Sequence, residues 1–420
     1  MKTIFSFYCL LFATIISAAD PLKIWITSYQ DKKYYEAMVK EYQKLDASFE
    51  ASIEAYGFME MPDKLNIAMK TGQGSPDIVQ LDEVLFSVFL RGETPFVDLA
   101  EHVNKDAKLS GGFHPQRLAL FKQGEKILAL PQSLSAYVLY YRRDLFNKYH
   151  IRKEEVATWE GLYEVGMRLQ KDYQQRFMPL DPSYFEVLLR QRGFQMFDNK
   201  GQAFPDMSIA IDTMEFLIDL NDNKIAQLPD RGTIFDPVFF NGDVMNNEVV
   251  AVLGADWYGL DMMQNFCPDL DGSWGILPMP RWNKDEFPTS RKSSTFAGQG
   301  LSIMKSSQQQ DRAWKFLKWV MSSKNGNIER YTQGNSFSAY MPSWIYPEMT
   351  EGSSYFGGDS MGKILIDSST DLPPIAMNPK RGICVFLLRE KYFASIIMGN
   401  VNPKTALDKL REALNQAPKF

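Results

Sequence analysis

The stretch that decides the fold reads ILALPQSLSAYVLYYRRDLF and runs from Ile127 to Phe146. Two apolar runs, ILAL and AYVLYY, predict buried strands on either side of the polar joint PQSLS. Because Pro131 has no N–H to give to a sheet ladder, we expect the chain to leave its sheet or change sheets there. Ser133 and Ser135 would then lie where two sheets meet, a position that suits a ligand held between two lobes. An ordinary strand–turn–strand explains the same pattern, and this segment alone does not decide between the two.

The beginning of the chain predicts export. In MKTIFSFYCLLFATIISAAD a single lysine precedes an apolar run that ends in the small residues SAA. This is the pattern of a secretory signal peptide over residues 1–19, cleaved before Asp20. The run is short for a membrane span. Cys9 lies inside the run rather than after the small residues, which argues against a lipid anchor, so we expect a soluble exported protein.

Composition excludes some classes of function. The chain has 420 residues and a net charge of −5, and loss of the one lysine in the signal peptide makes the charge −6. A mildly acidic protein is a poor match for nucleic acid, whose phosphates require a basic surface. The histidines, His102, His114 and His150, show no metal-ligand spacing. Cys267 and Cys384 could pair in an exported protein, and the sequence leaves that open.

Strands and helices alternate along the chain. LKIWI, EASIEAY and DIVQL predict strands, and YYEAMVKEYQKLD and MPDKLNIAMKTG between them predict helices, the second ended by Gly72. This alternation favours a parallel sheet covered by helices, with Trp25 in the core. A second α/β unit follows Ile127, with helices around 159–172 and 209–223 and a strand at 249–254. After a polar stretch, a strand at 301–304 and further amphipathic helices complete the chain.

Eight segments in chain order resemble the family 1 extracellular solute-binding proteins of ABC importers, among which are the maltose- and maltodextrin-binding proteins. They are SPDIVQLDEVLFSVF, FVDLAEHV, ILALPQSLSAYVLYYRRDLF, ATWEGLYEVGMRLQ, VVAVLGADWYGL, GSWGILPMPRW, FAGQGLSIMKSSQQQDRAWKFLKWV and NPKTALDKLREALNQ. The resemblance covers nearly the whole chain after the signal peptide. It implies an α/β, two-lobed periplasmic-binding-protein fold of type II, each lobe an α/β sandwich, with a ligand cleft between lobes that close by a hinge motion.

The resemblance also implies domain limits and a function. We expect the first lobe to hold residues 20–130 and 299–342, and the second lobe residues 131–298 and 343–420, with crossings near 130–131, 298–299 and 341–342. The implied function is capture of a mono- or oligosaccharide and its delivery to the membrane permease of an ABC importer. We expect a periplasmic monomer without catalysis, cofactor, metal or nucleic acid, and the ATPase on a separate chain.

Ligand-binding side chains should lie where loops leave the carboxyl ends of strands. A sugar requires carboxylates and amides for its hydroxyls and flat aromatic rings for its C–H faces. The expected ligand-binding residues are Ser28, Tyr29, Gln30, Asp82, Glu83, Ser133, Ser135, Tyr137, Trp257, Phe296, Gly298, Gln299 and Phe386.

Several of these positions have a second interpretation. Asp82 and Glu83 directly follow DIVQL and also suit a helix N-terminus, although relatives place ligand-binding side chains at this loop. Trp257 in GADWYG occupies the position where relatives stack a Trp on a sugar, but it could be a core residue. Many relatives carry an acid near Ser135 and this chain does not, so the resemblance does not imply a hydrogen-bonding scheme there. Phe386 corresponds roughly to a cleft aromatic of maltodextrin binders.

Parts of the sequence also match other functions. GDSMG at 358–362 fits G-x-S-x-G, but that elbow needs a strand before it and a histidine after it. SSYFGG is a poor strand, and no histidine follows His150. A secreted glycosidase with two carboxylates is a less favoured alternative. A non-sugar solute, such as a polyamine or a phosphorylated compound, stays open. A phosphate binder would need backbone amides or arginines in the cleft, and the sequence does not place Arg281, Arg291 and Arg381.

Overall fold

The computed structural model describes residues 20–416, apart from 28, 59, 91 and 334–335 and the side chains of residues 29 and 30. The predicted signal peptide, the predicted ligand residue Ser28, and the side chains of Tyr29 and Gln30 therefore lie outside the described residues.

Strands and helices alternate as the sequence predicts. The strands are β1 (Leu22–Ile26), β2 (Ala51–Ala55), β3 (Ile78–Asp82), β4 (Lys122–Gln123), β5 (Lys126–Ile127), β6 (Leu130–Pro131), β7 (Tyr137–Arg142), β8 (Met178–Pro179), β9 (Ala226–Gln227), β10 (Ala251–Ala255), β11 (Trp274–Pro278) and β12 (Gln299–Ile303). The helices are α1 (Tyr29–Gln43), α2 (Met61–Thr71), α3 (Glu83–Phe86), α4 (Ala100–Lys105), α5 (Pro115–Leu118), α6 (Arg143–Lys148), α7 (Trp159–Tyr173), α8 (Ser183–Gln191), α9 (Met207–Asp222), α10 (Pro237–Phe239), α11 (Gln264–Phe266), α12 (Gln310–Ser322), α13 (Lys324–Thr332), α14 (Met361–Ser369), α15 (Arg381–Leu387), α16 (Phe393–Ile397) and α17 (Pro403–Gln416).

The first sheet has the strand order β2-β1-β3-β12-β6. The strands β2, β1 and β3 are parallel, whereas β12 runs antiparallel to β3 and to β6. Successive side chains of a strand point to opposite faces of the sheet. Ile24 packs in one apolar cluster with α1 and α12, and Trp25 packs in the other with α2. The prediction that Trp25 is a core residue is confirmed.

The second sheet has the order β10-β7-β11, with both pairings antiparallel. Every residue of β7, the central strand of this sheet, is buried. Thr158 is the N-cap of α7, and its hydroxyl oxygen accepts a hydrogen bond from the backbone N–H of Gly161 at 3.1 Å. Leu162, Val165 and Leu169 form the buried face of α7, the spacing of an amphipathic helix.

The chain passes between the two sheets at the segment predicted to do so. Pro131 pairs with Gly300 in the first sheet, and Tyr137 pairs with Ala255 in the second. The prediction that the chain changes sheets near Pro131 is therefore confirmed. The predicted strand ILAL is reduced to the short β5 and β6, because Leu128 donates its backbone N–H to Phe121 in a loop.

Two further connections run beside this first one. In the second, Thr295 still bridges to Ala136, and β12 begins four residues later in the first sheet. In the third, Ser338 bridges to Ser133. Two non-glycine residues in these connections have left-handed backbone angles, Ser135 with φ 53° and Ala297 with φ 55°. The connections are therefore strained as well as close-packed.

Gly298 lies where these connections meet, with φ 98°. A Cβ atom at this position would lie 2.2 Å from the hydroxyl oxygen of Ser135 and 2.4 Å from Nη2 of Arg117. Only glycine combines this backbone angle with this close approach.

The cysteine pairing that the sequence left open is not formed. Cys267 and Cys384 are both buried free thiols. The Cys267 thiol contacts the carbonyl oxygen of Met263 at 3.1 Å and the hydroxyl of Tyr355 at 3.2 Å. Along the part of the chain that the structure describes, no helix combines the length and the apolar character needed to cross a membrane.

Gly298→Ala should lower the free energy of unfolding by about 2–4 kcal/mol, because it adds backbone strain to overpacking. Urea denaturation would measure the loss. Gly74→Ala is the matched control, since Gly74 has φ 71° but no atom within 4 Å of the added Cβ. It should lose about 1 kcal/mol from strain alone. Equal losses in the two variants would contradict the close packing at Gly298.

Candidate functional site

Four of the predicted site residues lie together at one end of the first sheet, namely Asp82, Glu83, Gly298 and Gln299. Asp82 ends β3 and pairs in register with Gln299, the first residue of β12. The backbone N–H of Glu83 bonds to the carbonyl of Gly298 at 3.1 Å, and that of Gln132 bonds to the carbonyl of Gln299 at 2.8 Å. These hydrogen bonds make the four residues contiguous in the first lobe.

Asp82 caps a helix, the alternative that its sequence position allowed. Its Oδ1 accepts a hydrogen bond at 2.9 Å from the backbone N–H of Val84 at the start of α3. The side chain is only 3% exposed. Burial, followed by the charge of Glu83, raises the pKa of Asp82 to about 7. Asp82 therefore supports the junction from within the first lobe.

Glu83 enters a buried ion network that joins the lobes. Arg381, at the start of α15, forms ion pairs with Glu83 from the first lobe and with Glu186 on α8 from the second. The contact between Nη2 of Arg381 and Oε1 of Glu186 is 2.7 Å. All three side chains are at most 3% exposed. Burial raises the pKa of Glu83, so the guanidinium is what makes two buried carboxylates tolerable here.

The hydroxyls of Ser133 and Ser135 contact each other at 2.8 Å and are fully buried. Arg117, on α5 of the first lobe, donates to the carbonyl of Ser133 at 3.0 Å and to the carbonyl of Ala297 at 2.7 Å. A buried arginine thus binds this corner from one side, and the carboxylate of Asp256 accepts a hydrogen bond from the backbone N–H of Ser135 at 3.2 Å. Tyr137 is also buried, and its hydroxyl lies 3.4 Å from that of Ser183.

Trp257 follows β10 and is partly buried against the core of the second lobe. Its ring centroid lies 5.8 Å from that of Phe235. The preceding residue, Asp256, is fully buried, and its Oδ1 accepts a hydrogen bond from the backbone N–H of Trp257 at 2.7 Å. Phe296 is likewise partly buried against this core. Phe386 on α15 is 49% exposed.

A narrow crevice opens beside two of these aromatic residues, Phe235 and Phe296. It is lined by Asp181, Pro182, Ser183, Glu186, Met196, Phe235, Phe296, Val385, Leu388 and Arg389. Asp181 and Glu186 contribute carboxylates, Arg389 contributes a cation, and the two phenylalanines contribute apolar walls. Oδ1 of Asp181 accepts hydrogen bonds from the backbone N–H and the hydroxyl of Ser183, at 2.9 and 2.6 Å.

Several buried polar atoms around the junction have no hydrogen-bond partner among the described residues. They are Oε1 of Glu83, Nη1 of Arg117, Oδ2 of Asp181, Oε2 of Glu186 and Nε1 of Trp257. Buried polar groups in folded proteins are nearly always hydrogen-bonded. These donors and acceptors, contributed by both lobes, are therefore available to a polar ligand or to water.

Sequence reasoning missed Arg117, Asp181, Glu186 and Asp256, and it could not place Arg381. One signal was present for Glu186. In the segment SYFEVLLRQ this single acid stands between the apolar runs YF and VLL, and a charge within an apolar run indicates a buried partner. The other residues carry no pattern that marks them.

The competing sites gain no support. Ser360 of GDSMG caps α14, accepting a hydrogen bond from the backbone N–H of Lys363 at 3.3 Å and donating to the carbonyl of Thr350 at 2.6 Å. A strand does not precede it within residues 336–359. Among the residues that the structure describes, no group of three or more His, Cys, Asp or Glu could hold a metal ion.

Two α/β lobes, joined by adjacent connections and holding polar groups between them, define a two-lobed binding protein. A sequence model described as bacterial extracellular solute-binding protein matches residues 27–327, and the chain belongs to this family. The resemblance seen in the sequence is thereby confirmed.

Curated relatives and solved structures agree with this assignment. An arabinooligosaccharide-binding protein of Bacillus subtilis (strain 168) is 24% identical over 412 residues, covering 95% of this chain and 93% of the relative. The GacH receptor of Streptomyces glaucescens GLA.O, solved without ligand and with acarbose, has a TM-score of 0.77 at 17% identity, covering 94% of this chain and 97% of that one. A binding protein of B. animalis subsp. lactis Bl-04 in complex with β-1,6-galactobiose has a TM-score of 0.75 at 17% identity, covering 94% and 96%. These likenesses confirm the two-lobed fold of type II.

Arg381→Ala should lower the free energy of unfolding by about 3–5 kcal/mol, because it leaves Glu83 and Glu186 buried without their cation. Chemical denaturation would measure the loss. Lys404→Ala removes an exposed ion pair with Asp408 and should leave the stability nearly unchanged. A loss of less than about 1 kcal/mol for Arg381→Ala would show that the two carboxylates do not depend on it.

Stability should be higher at about pH 6 than at about pH 8, because buried acids with raised pKa values hold protons that the unfolded chain has already released. Burial raises the pKa of Asp82 and that of Asp256 to about 7. The stabilisation is complete below the ordinary pKa of aspartate and is lost as the pH rises through about 7. Thermal melting at the two pH values would test this.

Asp82→Asn should flatten that pH dependence while keeping the helix cap, since asparagine also caps well. Asp408→Asn is the control, because Asp408 is on the surface and its pKa is lowered by Lys404. An unchanged slope in Asp82→Asn would show that this carboxyl is already ionised at about pH 6.

Proposed function

We propose that this protein captures a sugar, a mono- or oligosaccharide, in the cleft between its lobes and delivers it to the membrane permease of an ABC importer. The observation that carries the proposal is a crevice lined by two carboxylates and two phenylalanines, in a chain that belongs to the solute-binding family. Trp257 packs against one of these phenylalanines, Phe235, with 5.8 Å between the ring centroids. The family supports a permease partner, with the ATPase on a separate chain.

The chemistry of the junction suits a carbohydrate. A sugar offers hydroxyls that both donate and accept hydrogen bonds, and an apolar C–H face that packs on an aromatic ring. The unpartnered carboxylate oxygens of Asp181 and Glu186 would accept from hydroxyls, and the Nη1 of Arg117 and the Nε1 of Trp257 would donate to them. Apolar walls with a few placed polar groups are typical of small-molecule sites.

Relatives support the same class of ligand. The Bacillus relative is an arabinooligosaccharide-binding protein, and the two structural neighbours were solved with acarbose and with β-1,6-galactobiose. Since these chains share 24% identity or less with this protein, we infer the class and not the individual sugar.

We assign the ligand-binding residues in three groups. Trp257, Phe296, Asp181 and Glu186 from the second lobe would contact the sugar, together with Arg117 from the first. Asp82, Glu83, Ser133, Ser135, Tyr137, Gly298 and Gln299 are buried or engaged within the protein, and we infer that they shape the cleft. Ser28, Tyr29, Gln30 and Phe386 remain predictions from the sequence.

The remaining features follow from this role. We propose a signal peptide over residues 1–19 cleaved before Asp20, a periplasmic location and a monomer without catalytic activity. The proposed lobe limits are 20–130 with 299–342, and 131–298 with 343–420. Closure requires a ligand that contacts both lobes, because a ligand with no preference for the closed state cannot shift the equilibrium.

A thermal-shift panel tests the proposal. It would compare arabino-, malto- and galacto-oligosaccharides with a polyamine and a sugar phosphate, with product release measured in parallel. A true ligand at about 100 times its dissociation constant should add about 2.7 kcal/mol of stability. A shift with the polyamine or the phosphate alone would overturn the choice of a sugar, and steady product release would show an enzyme.

Trp257→Ala should weaken sugar binding by at least about tenfold, because loss of one aromatic stacking partner removes about 1.4 kcal/mol or more. Titration calorimetry on the folded variant would measure it. Trp314→Ala is the matched control, since that ring stacks on His102 at 4.8 Å in the first lobe, and its affinity should be unchanged. Equal affinities in the two variants would return Trp257 to a purely structural role.

A further inference from the structure

Arg117 holds two of the three connections between the lobes. Its side chain is fully buried. Nε donates to the carbonyl of Ser133 in the first connection, at 3.0 Å, and Nη2 donates to the carbonyl of Ala297 in the second, at 2.7 Å. Nη2 also reaches the hydroxyl of Ser135 at 3.4 Å. A planar guanidinium is suited to this work because its donors diverge in fixed directions.

Asp256 links the third connection between the lobes to the first one by hydrogen bonds. This side chain is fully buried at the end of β10. Its Oδ2 accepts hydrogen bonds from the backbone N–H of Ser135, at 3.2 Å, and from that of Phe337 in the third connection, at 3.1 Å. The other oxygen accepts from the N–H of Trp257. One carboxylate therefore ties two connections to the residue that we infer stacks on the ligand.

The two side chains belong to one unit. Asp256 is among the charges that act on Arg117, together with Glu83, Asp82 and Arg381. On the other side, Tyr140 and Tyr331 lie within electrostatic range of Asp256. The strained residues Ser135 and Ala297 are the ones whose backbone groups bond to this pair: Asp256 accepts from the N–H of Ser135, and Arg117 donates to the carbonyl of Ala297. Strained backbone persists only where its surroundings enforce it.

We propose that Arg117 and Asp256 form a hinge clasp, which sets how far the lobes open in the absence of ligand and couples that opening to the position of Trp257. Hinges are a few residues that absorb large backbone rotations. Rotation at Ser135 or Phe337 must move an N–H relative to the fixed carboxylate, so the clasp determines which rotations are accessible.

The clasp is a positioning device, and its loss has a distinct signature. Asp256→Asn keeps the shape of the side chain but replaces one acceptor oxygen with an N–H₂ group. At least one of the backbone N–H groups of Ser135, Phe337 and Trp257 then loses its partner. The ligand-free protein should populate a different interlobe separation, and the apparent affinity should fall in proportion to the population that can bind.

The test measures the distance between the lobes directly. Spin labels would be attached to Leu45→Cys in the first lobe and Met398→Cys in the second, whose native side chains are 70% and 67% exposed. Cys267 and Cys384 are buried and should not react. Asp256→Asn should shift or broaden the ligand-free distance distribution and weaken sugar binding by about tenfold, with saturating ligand restoring the parent distance.

Arg117→Lys alters the clasp on the side of the first lobe. It should shift the same ligand-free distance distribution, because one ammonium group cannot reproduce the two diverging hydrogen bonds to the carbonyls of Ser133 and Ala297. It also keeps the test decisive if Asp256→Asn does not fold. Trp257→Ala is the contrasting variant, expected to lose affinity with an unchanged ligand-free distribution. A folded Asp256→Asn or Arg117→Lys that melts lower yet keeps the parent distances would overturn the clasp. The affinity readout rests on the proposed sugar capture, but the ligand-free distances do not, so the two proposals can fail separately.

Discussion

The junction between the lobes depends on one arrangement of charge, a guanidinium held between two carboxylates away from water. Removing ions from water costs several kcal/mol each, and their attraction roughly repays that only when the geometry is good. Arg381 meets this condition by reaching Glu83 in one lobe and Glu186 in the other. Such a network adds little net stability. Its value is that the lobes meet in one register, because any other register would leave a buried charge without its partner.

The same junction shows why structural and ligand-binding roles are hard to separate here. The sequence position of Asp82 suits either ligand binding or the start of a helix, and the structure shows that its side chain caps α3. A carboxylate at the carboxyl end of a strand is in the right place for both tasks. A structural role and a ligand-binding role can be distinguished by whether the second oxygen of the carboxylate has a partner within the protein. Glu83 and Glu186 each commit one oxygen to Arg381 and leave the other without a protein partner.

Local structure was predictable from the sequence because its signals are local. Strand β1 occupies LKIWI, Gly72 ends α2 with φ 65°, and Pro131 marks the change of sheets. The ion network was not predictable, because its members lie 298 and 195 residues apart in sequence. A buried arginine looks like any surface arginine until its partners are known. The family resemblance predicted the two-lobed fold, but it did not reveal which charges meet between the lobes.

The position of β12 in the first sheet has a consequence for how the protein folds. This strand lies between β3 and β6, yet it follows the whole of residues 131–298 in sequence. Until residue 303 has been synthesised, β3 keeps an unpaired edge, and such edges invite aggregation. Pairings between residues this far apart also form slowly, because a long loop must close first. The first lobe, although it begins the chain, can therefore complete its sheet only after the strands of the second lobe have been made.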